Sequence, residues 1–142
     1  MATINGTEID LMPTEGMREE AQRYRDWKAD GEAGGTEVAA RRATQILSGN
    51  ELSPAVVIDQ AAWFARHSVD KQGEGFSPGE DGYPSNGRVA WAAWGGDPGQ
   101  VWASNKADRI KEIRDRTMSE QLEVRAEPGE LSVGDFVRWN SS

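Results

Sequence analysis

Four times along this chain a residue that caps helices stands just before an apolar stripe at helical spacing, and glycines stand where the stripes end. Thr14 precedes Met17, Ala21, Tyr24 and Trp27, and Gly31 follows. Thr36 precedes Ala39, Ala43, Ile46 and Leu47, and Gly49 follows. Ser53-Pro54 and Asp97-Pro98 each place a capping side chain before a proline at the first helical position. A capping oxygen accepts from an orphan N–H of the first turn, and proline there gives up an N–H that had no partner. Glycine ends a helix because it enters the left-handed region without steric cost. This punctuation restricts the chain to a set of short helices.

The helices predicted are Thr14 to about Asp30, Thr36 to about Ser48, Ser53 to about His67 or Ser68, a short one over Arg88–Trp94, and Asp97 to about Thr117. The fourth is apolar on nearly every side, which predicts burial. Between the third and fourth, residues 70–86 hold four glycines in Gly73, Gly75, Gly79 and Gly82, with Pro78 and Pro84 and no helical period. A loop of this length in a compact domain either has a role or wraps the core, and Phe76 and Tyr83 are its expected anchors. From Glu120 onward Leu122 and Val124 alternate with charges, Pro128-Gly129 interrupts, and Leu131, Val133, Phe136, Val137 and Trp139 follow. This reads as a β-hairpin. The expected fold is mainly α: a bundle of about five helices with a long ordered loop and a short C-terminal β-hairpin. The division is 1–13 extended, 14–117 helical and 118–142 β. The expected core includes Tyr24, Trp27, Ile46, Phe64, Trp91 and Ile110.

The 142 residues suit one ordinary domain, and there is no cysteine for a disulfide, a thiolate metal site or a thiol nucleophile. The formal charge of −8 opposes nucleic-acid binding unless cations segregate on one face, and they are interleaved with acids. Membrane association is not expected either: no apolar run nears the ~20 residues of a bilayer span. Met1 to Gly6 lacks the features of a signal peptide, so the product is expected to stay in the compartment where it is made.

Catalytic chemistry finds little material. His67 is the only histidine, and no nucleophile elbow or oxyanion-type glycine motif accompanies it. Glu19-Glu20 falls on a solvated helix face. Glu80-Asp81, with Asp70 and Glu74 upstream, could offer oxygens to calcium, but the spacing is not that of an EF-hand. No glycine stretch fits a phosphate-binding loop. No catalytic, cofactor-binding or metal-ligating residue is therefore assigned. In the third helix Val57, Ile58, Ala61, Ala62, Phe64 and Ala65 form one broad face, with Asp59, Gln60, Arg66 and His67 opposite. Trp63 and Val56 fall among the polar residues. Either the 70–86 loop packs over Trp63, which is the favoured reading because tryptophan is usually well buried, or Trp63 is an exposed binding anchor. The partner-binding candidates are Trp63, Val56, Phe136 and Trp139.

The stretch from Met12 to about Ile113 resembles a helical module found among tailed-bacteriophage head-associated proteins. The residues that carry the likeness are Met12-Pro13-Thr14, Gly34-Gly35-Thr36, Ala65-Arg66-His67, Gly75-Phe76-Ser77-Pro78-Gly79-Glu80-Asp81-Gly82-Tyr83-Pro84-Ser85 and Gly87-Arg88-Val89-Ala90-Trp91-Ala92-Ala93-Trp94-Gly95-Gly96-Asp97. Such modules accompany head maturation proteases or capsid components. The resemblance implies a phage origin and head association. With the lack of catalytic material, the expected function is a non-enzymatic structural or head-assembly protein that binds capsid, portal or scaffold surfaces, with self-association as a further expectation. The alternative is an accessory or regulatory module of a head maturation enzyme, acting on a separate chain. The expected location is the virion, and the host cytoplasm during assembly. Leu131 to Ser142 looks like the opening strand of a small SH3-like or Tudor-like barrel. Either that strand has another job here, or the natural product is longer.

Overall fold

A computed structural model of the chain describes residues 1–125, with side chains through Met118. Five helices, α1 Glu15–Ala29, α2 Glu37–Leu47, α3 Pro54–His67, α4 Asn86–Ala93 and α5 Gly96–Arg125, follow a small antiparallel hairpin of β1 Ala2–Ile4 and β2 Thr7–Ile9. The mainly helical class expected from the sequence is what the fold shows. No described helix is long and apolar enough to cross a membrane.

Three of the four expected caps form, while Asp97 lies inside α5 and its carboxylate accepts from the Trp91 indole N–H and Lys71 instead. Thr14 Oγ1 accepts from Met17 N–H, Thr36 Oγ1 from Ala39 N–H and Ser53 Oγ from Val56 N–H, at 3.2 Å each. Helix α4 starts two residues before its expected beginning because Ser85 caps it, accepting from Arg88 N–H at 3.1 Å. The 70–86 loop is partly regular. Its first residues belong to a 3-10 turn over Ser68–Gln72, and it then closes on itself where Ser85 N–H donates to Gly75 C=O at 2.8 Å. Phe76 is buried and Tyr83 meets the Trp27 ring edge-on, so both expected anchors touch the body.

Three expectations need correction. The segment 1–13, read as extended, contains the hairpin β1–β2, paired as Ala2↔Ile9, Thr3↔Glu8 and Ile4↔Thr7. Its turn is Asn5-Gly6, with φ of 50° and 86°, the left-handed pair that a two-residue hairpin turn demands. Two strands alone are marginal; these are held because Ile4, Ile9 and the following Leu11 join the core and β1 packs on α5.

Second, α5 runs on to Arg125 and takes in Leu122 and Val124, read above as the first strand of a C-terminal hairpin. From Gln100 to Ala126 there is no glycine or proline to stop it, and Glu120 to Glu123 are good helix formers. Two alternating apolar residues are too few to override that. The second strand of that hairpin, with Phe136 and Trp139, lies outside the described residues.

Third, α3 is rotated from the expected face. Val57, Gln60, Trp63 and Phe64 are buried, whereas Ala62 and Ala65 are exposed. A tryptophan removes far more apolar area from water than two alanines do, so the helix turns Trp63 inward. Gln60 accompanies it, 1% exposed, and is accommodated because its Nε2 donates to Trp94 C=O at 2.8 Å, at the end of α4.

The core gathers along α1, which packs on α2, α4 and α5, while α3 lies on α5. Of the six core residues expected from the sequence, Tyr24, Ile46, Phe64, Trp91 and Ile110 are buried and Trp27 is half-buried.

Candidate functional site

The aromatic residues of α3 and α4 meet in one stack. Trp63 lies parallel to Trp94, ring centroids 4.7 Å apart and planes 10° from parallel, and His67 stacks on Trp63 at 4.5 Å. The Arg42 guanidinium from α2 lies 5.2 Å from the Trp94 ring, within reach of a cation–π attraction. Arg42 is itself held by Asp59 at 2.8 Å and Gln45 at 3.1 Å. Trp63 is thus packed, 9% exposed, but the rings that cover it are Trp94, Trp91, Phe64 and His67, while the loop's Phe76 and Tyr83 meet Trp91 and Trp27 instead.

Beside the stack is a cleft of about 420 Å³, with Trp63, His67 and Trp94 among its lining residues. Gly34-Gly35-Thr36, Asp70 and Asn86-Gly87 complete its rim. Segments far apart in sequence meet here because the glycines permit close approach. A Cβ on Gly34 would lie 2.7 Å from Asn86 O and 2.9 Å from Val89 Cβ, and its φ of 118° is one that other residues rarely adopt. A Cβ on Gly87 would lie 3.0 Å from Asp70 Cβ. Three sequence strings singled out above, those containing Gly34, His67 and Gly87, converge on this one cleft.

The cleft's reactive groups are engaged locally. His67 Nδ1 is 3.5 Å from Asp70 Oδ2, beyond ordinary N–H···O hydrogen-bond range, so the pair interacts mainly when the imidazole is charged. Thr36 Oγ1 is the cap of α2. No serine lines the cleft, and Ser53, close to His67 in sequence, caps the opposite end of α3.

Comparison with protein-family models, curated proteins and solved structures finds no match.

Val56, the second sequence-named contact on α3, is half-buried and lines a different cleft, of about 360 Å³, between the end of α2 and the start of α3. Leu52, Thr44 and Gln45 share its walls. The structure does not bring Val56 and Trp63 to one place. Phe136 and Trp139 lie outside the described residues. The acidic loop considered for calcium uses its carboxylate internally: Glu80 Oε1 accepts from Gly75 N–H at 2.9 Å and Ser77 N–H at 3.1 Å. Among the described residues no group of three acidic or imidazole side chains is placed to hold a metal.

One polar centre was not visible from spacing. Glu20 of α1 pairs with Arg88 of α4 at 2.9 Å, each side chain only 14% exposed. Nearby, Asp97 accepts from the Trp91 indole N–H at 2.9 Å and from Lys71 Nζ at 3.1 Å. Burial pushes the Asp97 carboxyl up, but the two hydrogen bonds and the charges of Lys71 and Arg88 outweigh it and hold the group below the usual range. Nothing in the sequence marks these partners, because Glu20 and Arg88 are joined only by the packing of α1 on α4.

Proposed function

We propose that this chain is a non-enzymatic binding module of a tailed-bacteriophage head, acting through docking on capsid, portal or scaffold proteins. The observation that carries the non-catalytic part is the use of the cleft's polar side chains: His67 is stacked on Trp63 beside Asp70, and Thr36 caps α2. A general base needs a nucleophile or a substrate proton within reach and a neighbour that orients it. Here each group is engaged within its own segment, His67 with Trp63 and Asp70 and Thr36 with Ala39 N–H. The resemblance over Met12 to Ile113 supports the phage-head part, since its glycine strings are the ones that meet at the cleft.

Val56, with Leu52 beside it, is the described contact we assign to a partner, because Val56 is half-buried at the rim of a cleft that a side chain from another protein could enter. Mass spectrometry of purified phage particles tests the proposal. The protein is expected in DNA-filled heads at a fixed ratio to the capsid protein. Recovery from proheads alone would favour an accessory module of the maturation enzyme. Absence from both would overturn the head-binding reading.

A further inference from the structure

Helix α5 is packed on one side only. Ala103, Ala107, Ile110 and Ile113 are buried, while Val101, Ser104, Asp108, Lys111, Asp115 and Met118 are all exposed. These six recur at alternating intervals of three and four, so they lie in one stripe along the helix. At 1.5 Å per residue the stripe is about 26 Å long. Val101 and Met118, at its two ends, are 60% and 58% exposed, among the most exposed large apolar side chains of the described residues. Beside its middle is a cleft of about 250 Å³ that has Ala61, Ala62 and Ala65 of α3 in its other wall. Such small side chains let another helix approach closely.

The order of residues in the stripe selects an occupant. It runs apolar, hydroxyl, acid, base, acid, apolar. A second copy of α5, laid antiparallel about a two-fold axis midway between Asp108 and Lys111, meets every group with one that suits it. Val101 faces Met118 of the second copy, Ser104 faces Asp115 and can donate to its carboxylate, and Asp108 faces Lys111. The axis repeats each pair in reverse. A parallel pair would set Asp108 on Asp108 and Lys111 on Lys111, and like charges face to face are costly. Among the described residues Asp108, Lys111 and Asp115 enter no ion pair within the chain, so their charges are available to a partner. A formal charge of −8 repels a second copy in general; along this stripe a base stands opposite an acid.

We propose that α5 is a self-association surface, on which two copies of this chain pair antiparallel from Val101 to Met118. The proposal goes beyond the phage-head reading and does not rest on it.

Sedimentation equilibrium of the full chain tests it. The interface is small, so a dimer with a micromolar dissociation constant is expected. Lys111→Asp and Asp108→Lys each set like charges face to face twice, and each should raise that constant about tenfold or more. Mixed in equal amounts, the two variants restore opposite charges at both contacts and should recover most of the parent's affinity. A folding defect in either variant cannot produce that recovery. Because the sequence has no cysteine, single cysteines report the register. Val101→Cys and Met118→Cys should each form little disulfide dimer alone and a covalent dimer when mixed, since a disulfide needs its Cα atoms within about 7 Å. A parent that stays monomeric to about 1 mM, charge variants that associate as the parent does, or charge variants that do not dimerise when mixed would each overturn the proposal. So would cross-linking of either cysteine variant with itself.

Discussion

Trp91 is the largest fully buried side chain among the described residues. It is 1% exposed, and its ring meets Phe64 edge-on at 4.7 Å and Phe76 at 5.8 Å, with Trp63 tilted against it at 5.9 Å. Its indole N–H is also satisfied, by Asp97. Trp91→Ala would leave a cavity and remove one of the two hydrogen bonds to Asp97, and we expect a loss of about 3–5 kcal/mol, as for other buried aromatics cut to alanine. The thermal midpoint should fall by about 10 °C or more. A midpoint within about two degrees of the parent's would show that the ring is not part of the cooperative core.

At the scale of elements, helix ends matter more than helix propensity. Helix α3 begins with Ser53 accepting from Val56 N–H and Pro54 in the first turn. Its last turn carries Arg66, a cation that favours the negative end of the helix dipole. Ser53→Ala removes the capping oxygen and should cost about 1 kcal/mol. Ser53→Gly should cost only a few tenths relative to the parent, since glycine tolerates the cap conformation. Urea unfolding of the two variants beside the parent checks this order. An alanine variant as stable as the parent would mean that water replaces the hydroxyl without loss. The element missed in the sequence, the β1–β2 hairpin, had its signal in Asn5-Gly6 between Ile4 and Thr7. Three-residue strands are too short to show a period, so only the turn dipeptide announces them.

For the whole molecule, the long-range polar centre should make stability respond to acid. Asp97 joins α5 to the 3-10 turn through Lys71 and to α4 through Trp91. Burial works against its ionisation, and the hydrogen bonds and charges of its partners more than reverse that, so its folded-state pKa lies below the unfolded one. A carboxylate with a depressed pKa contributes stability above its unfolded value, about 3.9, and that contribution is lost as pH falls through the folded value. Unfolding free energies measured at pH 7 and pH 3 should therefore fall further for the parent than for Asp97→Asn. Equal losses in the two proteins would show that Asp97 titrates alike folded and unfolded.

The sequence by itself determined where the first three helices begin and what class of fold results, because caps, prolines and breaks act on their own neighbours within a turn. Thr14, Thr36, Ser53 and Gly31 do in the structure what their chemistry prescribes. It also determined most of the core, since Tyr24, Ile46, Phe64, Trp91 and Ile110 lie on stripes whose burial follows from period alone. Tertiary structure decided what no window of sequence contains. Trp63 and Gln60 face inward because α4 supplies Trp94 as a stacking partner and its C=O as an acceptor. Gly34 meets Asn86, and Glu20 meets Arg88, across helices packed side by side. Each of these depends on which surfaces come together, and the free energy that selects them is area and hydrogen bonding shared between distant segments.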